Sequence, residues 1–139
     1  MAFSFLKKSR QKQIIDPAAY LKAIDFKGGT LFAENETNKV YVDIEELGGF
    51  YYLKTIIIGD LSVKIKRVGC SLDLQFKKET ISLSSDNTTV DSNAIKKTPI
   101  FYTEVDFELE KEHADKMKKG KVKSLTYTFK NQILTFKRN

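Results

Sequence analysis

Lys116, Lys118, Lys119, Lys121 and Lys123 fall within eight residues around Gly120. Lysine ammoniums at this density suit a polyanion, either a nucleic acid or an anionic surface. A bland account competes: Gly120 reads as a helix stop, and cations are favoured near a helix C-terminus by its dipole and free carbonyls. Only Arg10, Arg67 and Arg138 are arginines among 24 basic residues. Arginine's planar fork is the better reader of guanine and phosphate, so its scarcity argues against specific nucleic-acid recognition.

Glu104, Asp106, Glu108 and Glu110 alternate with apolar residues. On a strand they share one face, roughly 6.5–7 Å apart per two-residue step. That is too wide for neighbours to share a cation, and the ordinary account is a solvated face. Lysines on neighbouring strands, such as Lys121 and Lys123 or Lys64 and Lys66, are expected to offset it.

Phe50, Tyr51, Tyr52, Phe101 and Tyr102 place aromatics near two strand starts. Phe50, Tyr52, Phe101 and Tyr102 form the candidate ligand-binding set, because such rings stack bases or line an apolar cavity. Their ordinary role is packing.

His113 is the only histidine and Cys70 the only cysteine. A histidine catalyst needs a partnered nucleophile or carboxylate, and His113 is expected to be solvated on a short helix. Cys70 occupies an apolar-face position, so core packing is expected rather than reactivity. No glycine-rich phosphate cradle and no nucleophile-elbow motif occurs. Neither a catalytic residue, a metal ligand set nor a cofactor is expected.

The elements that position these groups follow from periodicity. Asp16-Pro17 signals a helix start, followed by a two-turn helix that Gly28-Gly29 ends. From Thr30 onward a two-residue rhythm takes over. Strands are expected at Thr30–Glu34, Lys39–Ile44 and Phe50–Ile58, with turns at 35–38 and Gly48-Gly49. The run Ile56-Ile57-Ile58 is apolar on both sides and belongs centrally in a sheet. Gly59-Asp60 is a candidate hairpin turn. Cys70, Leu72, Leu74 and Phe76 then alternate with polar residues, and Ile81 and Leu83 continue the pattern. Residues 84–98 are polar and read as a surface loop. A long strand at Ile100–Glu110, a helix at Lys111–Lys119 and strands around 125–129 and 133–137 complete the chain, with a turn at Asn131-Gln132.

The 139 residues are 41% hydrophobic and 30% charged, the balance of one ordinary domain. Net charge is +6, with basic ends around an acidic middle, residues 31–110. Residues 1–15 are expected to be a basic, partly mobile segment preceding a single β-rich domain at 16–139. No apolar run approaches the ~20 residues of a membrane-spanning helix. With no signal-like start and one cysteine, a cytoplasmic location is expected.

The fold class expected is mainly β: an antiparallel barrel or sandwich of eight or nine strands, with a short N-terminal helix and another near residues 111–119. The expected function is a small non-enzymatic binding or interaction module, with a protein partner or homodimer through a sheet surface. Two alternatives are a β-barrel carrier of an apolar small molecule and a polyanion-binding protein using the lysine cluster.

Overall fold

The computed structural model describes residues 16–138, so the basic segment 1–15 lies outside the described residues. The first element is α1, Pro17–Ala23, capped by the Asp16 carboxylate, which accepts from the Ala18 N–H at 3.1 Å. Proline at the first helical position loses nothing, because that N–H has no intrahelical partner.

Ten strands follow: β1 Thr30–Glu34, β2 Asn38–Leu47, β3 Phe50–Gly59, β4 Lys64–Ile65, β5 Ser71–Gln75, β6 Thr80–Ser84, β7 Val90–Ala94, β8 Phe101–Leu109, β9 Ser124–Phe129 and β10 Gln132–Lys137. A second helix, α2, spans Lys111–Lys118 between β8 and β9. The strands form two antiparallel sheets, one in the order β1-β2-β3-β8-β7-β4 and the other β10-β9-β5-β6. No closed barrel forms among the described residues.

Both sheets turn their alternate apolar side chains into one core. Leu53, Ile57, Val105 and Phe107 come from the larger sheet; Leu72, Leu74, Tyr127 and Phe136 come from the smaller. Each such large side chain contributes roughly 1.5–3 kcal/mol on burial, so the rhythm of strands β5 and β8 largely decides which way they face. Cys70 and Phe76 extend the inward row of β5, as their spacing predicts. A β-bridge from Ser85 to Phe107 joins the sheets along one seam, where the Asp86 N–H also donates to the Asp106 carbonyl at 2.7 Å. Along the other, the Asn35 amide donates to the Thr135 carbonyl at 3.1 Å and Arg138 Nε donates to the Phe32 carbonyl at 2.9 Å. The Arg138 guanidinium also lies 3.8 Å from the Phe32 ring centroid.

The central place of Ile56–Ile58 is observed, with β3 between β2 and β8. The outer face there is apolar for a reason of its own: α1 covers it. Leu21 packs with Tyr41, Ile58 and Ile100 in a second, smaller cluster.

Three local expectations are corrected. Gly59-Asp60 does not turn a hairpin, because β4 pairs with β7 rather than with β3. Residues 84–98 are not all loop. They contain β7, whose Val90 is buried and whose Ser92 hydroxyl accepts from the Val63 N–H at 2.9 Å and bonds the Thr103 hydroxyl at 2.7 Å. Hydrogen bonds from one serine replace the apolar pattern that normally betrays a strand. The last turn is Lys130-Asn131, and Gln132 already belongs to β10.

Candidate anion-binding groove

The β5–β6 connection is a tight turn: the Phe76 N–H donates to the Glu79 carbonyl at 2.8 Å, leaving Lys77 and Lys78 exposed at its tip. Facing it is the end of α2. Ala114 and Met117 bury the inner side of that helix, which turns Lys116 outward along its flank. The helix stops as its sequence predicts. Gly120 takes φ +74°, its N–H donates to the Met117 carbonyl at 3.0 Å, and the Lys121 N–H donates to the Lys116 carbonyl at 3.1 Å. This paired closure is the Schellman arrangement, which needs a left-handed residue after the cap. The chain is then tied back to β5 by the Lys123 N–H, which donates to the Gln75 carbonyl at 2.7 Å.

Between these walls lies an open groove of about 490 Å³, lined by Phe76, Lys77, Lys78, Glu79, Lys116, Gly120, Lys121 and Lys123. Five lysines from three separate segments therefore line one groove, with one carboxylate residue, Glu79, among the lining residues. The Lys116 ammonium lies 2.9 Å from Glu79 and 3.5 Å from Glu112, and 5.7 Å above the Phe76 ring. The hydrogen bond from Lys116 holds the Glu79 carboxyl below its ordinary range, and the same bond raises the Lys116 ammonium. Lys77, Lys78, Lys121 and Lys123 make no ion pair among the described residues.

Of the five clustered lysines, Lys116, Lys121 and Lys123 line the groove. Lys118 turns away, with its ammonium 5.9 Å from the Tyr51 ring centroid, and Lys119 is exposed. Lys77 and Lys78 escaped the sequence reading because they lie some forty positions from Lys116. The pairing of β5 with β9, Gln75 opposite Ser124, brings the two regions together.

His113 departs from expectation. Only 16% of its side chain is exposed, its ring stacks on Phe76 at 6.1 Å, and Nε2 lies 3.7 Å from Glu79. An aromatic surface lay within reach across the sheet, and a helix pattern alone does not reveal it.

Other predicted groups are dispersed. Phe50 is exposed at the β2–β3 tip and Tyr52 is half-buried near it, opposite Glu108. Phe101 and Tyr102 pair with Gly59 and Ile58 at the far end of the same strand. Six residues separate Tyr52 from Ile58, about 20 Å at the usual rise, so the four aromatics do not form one platform. The acidic comb lies on the outer face of β8 as far as Glu108, whereas Glu110 stands at the N-cap position of α2 with no side-chain hydrogen bond to the helix. Its offsetting lysine is Lys54, opposite both Asp43 and Asp106 in register, and not Lys64, Lys66, Lys121 or Lys123. Burial raises the Asp106 carboxyl; Lys54 opposes that, and Glu104, Asp86 and Glu45 reinforce it. Among the described residues no cluster of three or more histidine, cysteine or acidic side chains is placed to hold a metal ion. Burial pushes the Cys70 thiol up to about 11, against a lowering hydrogen bond with Ser85.

No protein-family model, no curated protein and no solved structure matches this chain.

Proposed function

We propose that this protein is a non-enzymatic binding module that takes a polyanionic ligand in the groove between the β5–β6 turn and the α2–β9 connection. One observation carries the reading: five lysines from three segments line one open groove against one lining carboxylate, Glu79, while Glu112 reaches Lys116 from outside it. Like charges gathered this way repel one another, and a multivalent anion relieves that repulsion while releasing its own counterions.

The architecture that fits this reading is a two-sheet sandwich with its core filled by side chains. Tyr127, Phe107, Phe129 and Phe136 are all essentially inaccessible between the sheets, which favours a surface ligand over an apolar molecule carried inside. A buried, free Cys70 suits a reducing compartment, so a cytoplasmic setting belongs to the same proposal. No helix among the described residues is long and apolar enough to cross a membrane.

Fluorescence anisotropy with labelled heparin across a salt series tests the reading. Binding should weaken steeply with salt, the slope reporting the number of lysines engaged. The triple variant Lys77→Glu, Lys78→Glu, Lys121→Glu should lose at least about tenfold in affinity. Lys64→Glu with Lys66→Glu, outside the groove, should lose much less. No binding at low salt, or equal losses in both variants, would overturn it.

A further inference from the structure

Strand β6 is an edge of the smaller sheet, paired with β5 on one side alone. Ile81 and Leu83 stand in register with Leu74 and Leu72, which sets their side chains on the inner face. The Phe76 N–H donates to the Glu79 carbonyl, and the Ser85 N–H donates to the Cys70 carbonyl. The odd-numbered residues of this stretch therefore bond to β5. Alternate residues of an antiparallel strand bond to opposite sides, so the N–H and C=O of Ser82 point away from it.

On that side stands β8. Its pairing with β7 ends at Thr103, and the segment 85–87 then meets it at Asp106 and Phe107. Extending the Ser85–Phe107 register would set Leu83 opposite Leu109, yet no pairing forms there. The two strands part around an opening of about 580 Å³. Its apolar lining is Ile81, Leu83 and Leu109, and its polar lining is Ser82, Glu108, Glu110 and His113. Ile81 and Leu83 face the core but are only half-buried, whereas Glu108 and Glu110 are exposed.

Free strand edges invite pairing, and proteins guard them with bulges, charges, short strands or covering elements. The other three terminal strands are guarded in this way. β1 is irregular between Leu31 and Ala33 and is tied to β10 through Asn35 and Arg138; β4 is two residues long and begins with Lys64. β6 reads Thr-Ile-Ser-Leu-Ser, with no charge, proline or bulge.

We infer that the β6 edge is a docking site for an extended segment of a partner protein that alternates apolar and basic residues. The segment bonds to Ser82 through its main chain and sets its apolar side chains over Ile81, Leu83 and Leu109. Its basic side chains turn outward to Glu108 and Glu110 as cross-strand pairs. No lysine or arginine lines the opening, and nearby Lys111 is turned to Asp115 at 3.4 Å. Charge therefore selects a cationic strand here, the opposite of the ligand proposed for the lysine groove, with which this opening shares no lining residue.

The probe is a fluorescein-labelled peptide, Val-Lys-Val-Lys-Val-Lys-Val. Its anisotropy should rise with the full-length protein, and amide exchange at Ser82, followed by NMR, should slow by at least about tenfold. The same peptide N-methylated at every residue keeps its charge, cannot form a ladder and should not bind. Ser82→Pro removes the N–H aimed at the opening and none that serves β5, so it should keep the fold and weaken binding about tenfold. Its heparin affinity should match wild type, which separates this site from the lysine groove. Glu108→Lys, at an exposed position, should weaken peptide binding about threefold or more. Absence of binding, equal binding of the N-methylated peptide, or undiminished binding by both variants overturns the inference. Slow exchange at Ser82 before any peptide is added overturns it too, because a second copy or residues 1–15 would then hold the edge.

Discussion

The Lys116 ammonium and the Glu79 carboxylate meet at 2.9 Å, although 37 residues separate them in the chain. The pair crosses the groove and places a negative group where an incoming anion would sit. Glu79 is thus a built-in competitor for the strongest-held lysine of the site.

Glu79→Gln should raise affinity for heparin roughly threefold to tenfold, since one opposing charge leaves the groove. The pH dependence follows in sign. The folded-state carboxyl titrates below its ordinary value, so its pairing contributes to stability above the ordinary carboxylate range and is lost as pH falls through the lowered value. The gap between wild type and Glu79→Gln should accordingly close at acid pH. Anisotropy titrations at a series of pH values measure it, and an unchanged affinity for the variant at neutral pH would refute the competitor role.

Tyr127 is fully buried, and its hydroxyl finds no hydrogen-bond partner among the described residues. Burial also raises its phenol far above the ordinary value, with the nearby Thr55 hydroxyl acting in the opposite direction. Tyr127→Phe removes an unsatisfied group without changing shape, so stability should hold or rise by up to about 1 kcal/mol. Tyr127→Ala should instead lose about 3–5 kcal/mol through the cavity it leaves. Urea denaturation followed by circular dichroism separates the two outcomes, and a clear loss in the Phe variant would show that the hydroxyl is satisfied.

Cys70 should be inert toward iodoacetamide at neutral pH, because burial keeps the thiol protonated and inaccessible. Labelling should begin only at denaturant concentrations that unfold the core. Mass spectrometry of modified protein across a urea series would show the coincidence, and rapid labelling of native protein would contradict it.

Gly120 carries φ +74° with open space around the position of a Cβ, so only backbone strain opposes a side chain there. Gly120→Ala should lower stability by about 1 kcal/mol, and Gly120→Asn by less, since asparagine tolerates the left-handed region. A thermal melt that places the two substitutions in the opposite order would contradict this account of the helix stop.

The legible parts of the fold were those in which a side chain's neighbours along the chain also decide its burial. Leu72, Leu74 and Phe76 announced an inward face, and Ala114, Met117 and Gly120 announced a helix with its end. Strand β7 was hidden because Asp91, Ser92 and Asn93 are held by hydrogen bonds and an adjoining ladder, which leave no apolar rhythm. Three of the five groove lysines, Lys116, Lys121 and Lys123, were visible as a cluster. The contributions of Lys77 and Lys78, and the stacking of His113 on Phe76, depend on which strands become neighbours, and that is settled only when the core closes.

The pairing of β3 with β8 has a kinetic consequence. The Thr55 hydroxyl donates to the Val105 carbonyl across a separation of 50 residues, at the centre of the larger sheet. The middle of that sheet therefore cannot form until a long excursion of chain has been gathered in, an entropic toll that precedes most of its reward. Refolding should run on the order of milliseconds to seconds, as in other folds dominated by distant contacts. Until β8 arrives, the isoleucines of β3 stand as an uncovered strand edge, the interval in which a newborn copy is most exposed to joining another.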